Sequence, residues 1–448
     1  MKPSSFPLAV AVIGSGVSGL AAAWLLQRRH AVTLYEKDAK LGGHCNTVDA
    51  AGADGNLIAI DTGFIVYNPI NYPNLVALYH HLGVATHPSD MSFSVSLDDG
   101  ALEYSGSGLG GLFAQPANLV RPRFWAMVRD IVRFYRQAPR LLARPDAETL
   151  SLGRYLEEEG YSDAFIWDHL LPMGAAIWST TVADMRDYPA AAFVRFFENH
   201  GLLRLAERPQ WRTVTGGSRV YVDCVAAPLA GHIRLACPVR RIRRQPDGVL
   251  VEERGNRIER YDHVVLATHA DQALALLADP SGDETRVLGA IGYARNRAVL
   301  HSDAALMPQR RRAWASWNYI GRSGEDGALC VSYWMNLLQT LDRRRDFFLT
   351  VNPVREPRAD KVHASFQYEH PGYTRSTEAA QRQLWSLQGV RRTWFCGAYA
   401  GAGFHEDGLQ SGLAVAEALG GVRRPWTVPG ESGRIVLGPV PAPAEAVP

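Results

Sequence analysis

Six residues, Gly14-Ser15-Gly16-Val17-Ser18-Gly19, constrain the fold more tightly than any other part of the chain. They follow an apolar run of buried-strand type, Leu8–Ile13, and they open a helix that the pattern predicts from Val17 through Arg28. A second apolar run, Ala31–Tyr35, reads as a strand and ends at Glu36. Such a βαβ unit implies a parallel sheet covered by helices. In this setting each glycine has a separate reason: Gly14 permits the tight turn, Gly16 lets a pyrophosphate approach the backbone, and Gly19 allows close helix–strand packing. The free N–H groups at the helix start, those of Val17 and Ser18, face the phosphates with a favourable dipole. Glu36 stands 17 residues after Gly19, placed to accept hydrogen bonds from ribose hydroxyls. Its charge would repel a 2′-phosphate, which disfavours NADP.

A second Gly-x-Gly-x-x-Gly occurs at Gly106, Gly108 and Gly111. It follows a hairpin signal, Asp98-Asp99-Gly100, and leads to Pro116 and Pro122 instead of a helix and a parallel strand. The bare pattern is therefore rejected here. One dinucleotide unit remains, and no dedicated NAD(P)H domain.

The length of 448 residues exceeds one ordinary core and predicts at least two domains. A net charge of +2 argues against a nucleic-acid binder with a strongly basic face. The five cysteines are scattered, without Cys-x-x-Cys pairs or zinc spacing, so neither a disulfide framework nor a structural metal is expected, and a reducing cytoplasm fits. The apolar run Pro7–Leu26 is read neither as a signal peptide nor as a membrane span, because its three glycines already have an explanation. From Pro116 to Leu203 the pattern is helical, and beyond Gly420 the chain, rich in Pro, Gly and Val, reads as a loosely held tail.

The stretch after Glu36 separates FAD from NAD. Lys37-Asp38-Ala39-Lys40-Leu41-Gly42-Gly43-His44 resembles the extension found in flavoproteins of the amine oxidase and phytoene desaturase superfamily, where a basic position and a Gly-Gly pair lie beside the flavin's phosphate and ring. Lys40 and His44 stand where that superfamily usually has arginines. Three further segments resemble the same superfamily in order: Cys237-Pro238-Val239, whose backbone would hold the adenine; Val264-Val265-Leu266-Ala267-Thr268, which would return under the cofactor; and Trp394-Phe395-Cys396-Gly397 followed by Gly408-Leu409-Gln410-Ser411-Gly412, whose helix N-terminus would point at the flavin pyrimidine. The resemblance implies an α/β fold: a Rossmann-type FAD-binding domain with an inserted α+β substrate domain, amine oxidase-like. It assigns residues 1–85, 212–290 and 386–420 to the FAD-binding domain, 86–211 and 291–385 to the substrate domain, and 421–448 to the tail.

A narrower resemblance rests on Asp61-Thr62-Gly63-Phe64-Ile65-Val66-Tyr67-Asn68, Tyr72-Pro73-Asn74-Leu75, Ala175-Ala176-Ile177-Trp178-Ser179 and Gly401-Ala402-Gly403-Phe404-His405-Glu406-Asp407-Gly408. These segments are similar to a bacterial subgroup associated with cyclopropane-fatty-acid-type methyltransferases, which includes desaturases of methyl-branched fatty acyl chains on the route to furan fatty acids. The resemblance implies a lipid acyl substrate, hydride transfer to flavin N5, possible association with such a methyltransferase, and Thr62, Gly63 and Phe64 among the cofactor contacts. It places the protein in the cytoplasm, with a peripheral position on the inner face of the membrane as an alternative. Reoxidation would fall to dioxygen or to a protein or quinone acceptor.

The residues themselves bear on that reading. None of the four lysines falls in residues 291–340, where an amine oxidase of this fold often keeps one. Trp314, Trp317, Tyr319, Tyr333 and Trp334 cluster there instead and either line an apolar slot or form ordinary core. Phe124, Val128, Ile131, Tyr135 and Ala138 share one helical stripe flanked by arginines, which suits an anionic bilayer or a face packed into its own domain. His405-Glu406-Asp407 is the densest ionisable group beside a predicted flavin contact, so a catalytic base is sought there; the competing reading is a helix cap. Cys396 reads as a plain core cysteine rather than a covalent flavin attachment. An amine oxidase, a fatty-acid double-bond isomerase and a non-enzymatic FAD-binding partner of a lipid methyltransferase remain as alternatives, since all share the cofactor motifs.

Overall fold

The computed structural model describes residues 7–178, 181–204, 209–324 and 329–439. Ser179, named in one motif above, lies outside them. Strand β1 (Ala9–Ile13), helix α1 (Val17–Leu26) and strand β2 (Ala31–Tyr35) form the βαβ unit. Helix α1 stops short of Arg28 because the N–H groups of Arg28 and Arg29 bond to carbonyls three residues back, which tightens the final turn. Strands β3 (Ile233–Arg234), β4 (His263–Leu266) and β5 (Thr393–Phe395) complete a five-stranded sheet, all parallel, in the order β5-β4-β1-β2-β3. Chain order reverses beside β1, so the carboxyl ends of β1 and β4 flank a crevice of the kind that takes ligands in open α/β sheets.

Three more helices position the site: α2 (Pro73–Leu82), α3 (Pro122–Gln137) and α4 (His405–Gly420). Helix α1 is apolar all round because the sheet covers one face and α4 the other; Leu20 through Leu26 are all buried. A Cβ at Gly412 would lie 2.1 Å from the Ser18 carbonyl oxygen, so glycine is what allows this approach of α4 to α1.

The second sheet has seven strands in the order Val362–Pro371, Tyr293–His301, Phe348–Val351, Leu329–Trp334, Trp317–Gly321, Phe93–Leu97 and Leu102–Ser105. Every pairing is antiparallel except that of Phe93–Leu97 with Trp317–Gly321. Asp98, Asp99 and Gly100, all at positive φ, close the hairpin between its last two strands. Gly108–Leu112 is a five-residue helix with no parallel strand after it, so the second glycine triplet forms no dinucleotide unit. The helices between Pro122 and Asn199 have their own core, centred on Phe134, Phe165, Phe193 and Phe197. No helix among the described residues is long and apolar enough to cross a membrane.

One expectation needs correction, and one alternative left open for the α3 stripe is decided. The expected tail is docked, not loose, over residues 421–439; residues 440–448 lie outside the described residues. Arg424 is buried, its guanidinium bonded to both Glu417 carboxylate oxygens (2.8 and 2.9 Å) and to Asn74 Oδ1 (2.9 Å), and Trp426 stacks on Trp24 at 5.8 Å. Arg434 pairs with Asp407 at 2.5 Å and donates to the Asn71 carbonyl. Two arginines thus pin the segment to α4 and α2. The apolar stripe of α3 does not face outward either: Phe124 packs edge-on against Tyr104 at 5.7 Å, and Val128, Ile131 and Tyr135 turn into an internal cavity. Pro139 ends the α-helix at Gln137, as its missing N–H requires.

Candidate functional site

The glycine turn is built by close contacts. Gly14 donates to the Tyr35 carbonyl (2.8 Å) with φ at +101°, and a Cβ on Gly19 would fall 1.9 Å from the Gly14 carbonyl oxygen. Gly16 is the opposite case. A Cβ there would meet no protein atom within 4 Å, yet Gly16 lines a large cavity together with Gly14, Val17 and Ser18. The open side of this turn, at the start of α1, is where a phosphate would approach the N–H groups. Glu36 closes the same corner: its carboxylate accepts from Ser15 N (3.0 Å), Ser15 Oγ (2.5 Å) and Asp38 N (2.9 Å), which fixes it on the cavity wall.

The distant motifs converge here. Cys237 donates to the Glu36 carbonyl (2.9 Å) and Ala236 to that of Asp38 (2.8 Å), which brings Cys237, Pro238 and Val239 to the wall beside Lys37. Gly42 donates to Ser15 Oγ (3.2 Å), and Phe64 N to the His44 carbonyl (2.8 Å), so Gly43, His44, Thr62, Gly63 and Phe64 form the next stretch of wall. Ala267 and Gly397 complete it from the ends of β4 and β5. Gly408 and Leu409, expected at the flavin, do not reach the cavity. Helix α4 begins at His405, three residues earlier than expected, so Ala402, Gly403, Phe404 and His405 take the wall position while Gly408 packs against Val17.

The cavity holds about 1880 Å³ and runs on from the dinucleotide loop into the second lobe. Sites for a single small ligand are usually about 300–1,000 Å³, so the space accommodates a cofactor and a substrate together. In the second lobe Val128, Ile131, Val132, Met173 and Ile177 line it, with Tyr135 and Leu202. Of the five central aromatics only Trp317 and Tyr333 face it. Tyr333 and Trp334, adjacent on one strand, point to opposite faces, so Trp334 packs with Trp314, Phe348 and Met307 in a separate cluster; Tyr319, further along the same face as Trp317, is buried in the core.

The ionisable triplet at the start of α4 divides. Glu406 is fully buried and accepts from Asn74 N (3.0 Å), Asn74 Nδ2 (2.8 Å), Leu75 N (3.0 Å) and Gln410 Nε2 (3.0 Å), serving the N-terminus of α2. Asp407 caps its own helix through Phe404 N (2.7 Å) and pairs with Arg434. Neither lines the cavity, and burial raises both carboxyls. The geometry gives them structural work in place of the expected catalysis. His405 does line the cavity. Its ring stacks on Phe64 at 3.8 Å, and its Nε2 lies 2.5 Å from the Tyr221 hydroxyl, which Cys45 Sγ meets at 2.7 Å. Burial, reinforced by nearby His44, pulls His405 down to about 3, so it is neutral at ordinary pH.

Histidines mark this wall. Burial and the charges of His370 and His269 bring His44 down to about 3, and burial with His269 brings His370 to about 4. Where the superfamily usually has an arginine, this chain presents a neutral imidazole. Lys40 lies on the wall with its ammonium bonded to the Asn46 side chain. Cys396 is buried, its thiol pushed up to about 12, which suits core packing. No cluster of three or more metal-ligating side chains occurs among the described residues.

Over residues 17–316 the sequence matches the family of flavin containing amine oxidoreductases. The chain belongs to that family. FAD is therefore the cofactor of this flavin amine oxidoreductase, and the open side of Gly16, the fixed Glu36 carboxylate and the glycine-lined wall fit it. Among sequence relatives, a carotenoid phi-ring synthase of Streptomyces griseus is 28% identical over 296 residues, covering 60% of this chain and 54% of that protein. The chain thus spans about half the length of that curated relative. Putrescine oxidase bound to putrescine superposes with a TM-score of 0.63 at 15% identity, over 92% of this chain and 98% of that one. Cyclohexylamine oxidase from Brevibacterium oxydans gives 0.62 at 17% (92% and 99%), and a CLA-producing fatty acid isomerase from P. acnes gives 0.62 at 15% (90% and 97%). At these identities the structures show a shared fold.

Sequence reading of this flavin amine oxidoreductase missed part of the wall. Phe366, Tyr368 and His370 sit on alternate positions of the edge strand Val362–Pro371, and Tyr368 bonds to Asn46 Nδ2 (2.7 Å) and Thr62 Oγ1 (2.8 Å). Their period-two spacing was the available signal. Phe196 and His200, four residues apart at the end of one helix, stack with centroids 3.8 Å apart, and Phe404 joins Phe196 at 5.0 Å from more than 200 residues away, a meeting that left no local pattern.

Proposed function

We propose that this protein oxidises the hydrocarbon part of a fatty acyl group, in its most specific form desaturating a methyl-branched acyl chain of a membrane phospholipid. The observation that carries this reading is the composition of the cavity beyond the dinucleotide loop. Val128, Ile131, Val132, Met173 and Ile177 line it, and no Asp, Glu or Lys among the described residues does so there. The acids on the wall stand elsewhere: Glu36 and Asp38 at the end of β2, and Glu369 against His269. An ammonium substrate would find no carboxylate partner in this arm, whereas an alkyl chain needs none.

Bound FAD supplies the two-electron, hydride-accepting chemistry. The chain supplies confinement and a place for the proton. Removing hydride leaves positive charge on carbon, which a methyl branch stabilises, and Trp317 and Tyr333 place aromatic rings on the same wall. The neighbouring C–H is then so acidic that a weak base is enough. Neutral His405, on the wall and oriented by Tyr221, is the group assigned to that proton. An enzyme that methylates the same acyl chain is the class of reaction that supplies this substrate, and a methyltransferase is the partner this reading implies.

The test is anaerobic. Holoenzyme is mixed with phospholipids bearing methyl-branched or unbranched acyl chains while flavin absorbance is followed. Loss of colour with the branched lipid alone is expected; bleaching by simple amines and by no lipid would overturn the reading. The family's fold also accommodates a fatty acid isomerase. Movement of a double bond in lipid without any electron acceptor would favour that second activity.

A further inference from the structure

The arginine-rich region around α3 carries a surface that the cavity does not explain. Leu109 is 75% exposed, Leu119 53%, Val120 80% and Trp125 46%. They are contiguous. Phe113 N bonds to the Leu109 carbonyl (3.0 Å), the Phe113 and Trp125 rings lie 5.8 Å apart, and Trp125 Nε1 donates to the Leu119 carbonyl (2.9 Å). Solvent-facing aliphatics grouped around one tryptophan form an interaction patch rather than scattered surface apolar residues.

The charge beside the patch selects its occupant. Residues 108–144 carry seven arginines against one aspartate. That aspartate, Asp130, is buried and engaged by Arg129 and Arg133. At helical spacing Arg129 and Arg136 fall on the same face of α3 as Trp125, with Arg140 just beyond its end. Arg136 and Arg140 make no ion pair among the described residues. The arrangement of an indole and aliphatic side chains ringed by arginines matches the chemistry of an anionic phospholipid surface, with acyl region below and phosphates above. The cavity lies alongside: Leu112, Val128 and Val132 line it, and Val132, seven residues from Trp125, shares its side of α3, so the patch borders the apolar arm.

We infer that the Leu109, Leu119, Val120 and Trp125 patch with Arg129, Arg136 and Arg140 docks this protein on an anionic bilayer, presenting the α3 side of its cavity to the acyl chains. This deepens the lipid reading and rests on it for the identity of what enters, but the docking itself is separately testable.

The test is vesicle flotation of the full-length holoprotein. Vesicles of phosphatidylglycerol mixed with phosphatidylcholine are compared with phosphatidylcholine alone, at low and high salt. Binding to the anionic vesicles, weakened by salt, is expected. Replacing Arg129, Arg136 and Arg140 by Gln should weaken it about fivefold for each arginine, on the order of a hundredfold in all. Trp125→Ala with Val120→Ser should abolish retention at high salt, while Leu57→Ser with Ile258→Ser, exposed residues elsewhere, should not. Circular dichroism and FAD content confirm that each variant is folded. Equal binding to neutral vesicles, indifference to the patch substitutions, or a patch covered by a second copy with no vesicle binding would each overturn the docking. Oxidation of detergent-dispersed acyl substrate is measured in parallel. Activity without vesicle binding sinks the docking and spares the lipid reading; binding without any lipid oxidation does the reverse.

Discussion

The Tyr221 hydroxyl lies 2.5 Å from Nε2 of His405, linking a helix of the nucleotide-binding lobe to the histidine on the cavity wall. His405 is held at about 3 by burial and then by His44, below the ordinary histidine value of 6.5. Below pH 6.5 the unfolded chain takes up a proton there that the folded one refuses. The associated stability is therefore complete above 6.5 and is lost as pH falls toward 3, by about 1.4 kcal/mol per pH unit. The buried carboxyls of Asp61, Glu406 and Asp407 are raised and titrate in the opposite sense, so the difference between two slopes isolates the histidine. Denaturant unfolding of wild type and His405→Gln between pH 6.5 and 4.5 should show the shallower decline in the variant. Parallel slopes would refute the assignment.

Two glycines of one motif should fail in different ways. Gly16 has φ of −63° and open space on its Cβ side, whereas a Cβ on Gly19 collides with the Gly14 carbonyl. Gly16→Ala is expected to change the stability of the FAD-free protein by no more than about 0.5 kcal/mol, and to weaken FAD binding at least ~10-fold. Gly19→Ala should cost about 3 kcal/mol of folding stability. Thermal melts of the apoprotein and titration with FAD separate the two.

Arg434 neutralises a fully buried carboxylate. Arg434→Met leaves Asp407 without its partner, and a loss of about 3 kcal/mol is expected. The double variant Arg434→Met with Asp407→Asn should recover much of that loss, since the amide can still accept from Phe404 N. Chemical denaturation of the three variants checks this, and lack of recovery would place the role of Arg434 elsewhere.

Val132 lines the apolar arm away from the dinucleotide loop. Val132→Trp should leave FAD affinity unchanged and slow anaerobic bleaching by a long-chain lipid ~10-fold or more, about 1.4 kcal/mol in the barrier. A shorter acyl chain should be affected less. Equal slowing at every chain length would remove the arm from the substrate path.

Local sequence was enough for the glycine turn, the strand ending at Glu36 and the hairpin at Asp98-Asp99-Gly100, because each depends on backbone sterics and hydrogen bonds among near neighbours. The order of the later motifs also pointed to one nucleotide crevice. The roles of Glu406 and Asp407 were not legible. Their spacing shows two acids in the first turn of a helix, which suits a base or a cap equally, and their partners Asn74 and Arg434 lie 332 and 27 residues away.

What the sequence determined by itself is the cofactor half of the molecule: a βαβ unit, its glycine turn, and an acidic residue that closes the second strand on the cavity wall. The tertiary structure alone decided which apolar faces are walls and which are surface. Periodicity reveals that Val128, Ile131 and Tyr135 share a stripe, but what covers a stripe depends on chain brought back from elsewhere. In this molecule a cavity covers it, and the face left to solvent is the one that bears Trp125 and the arginines.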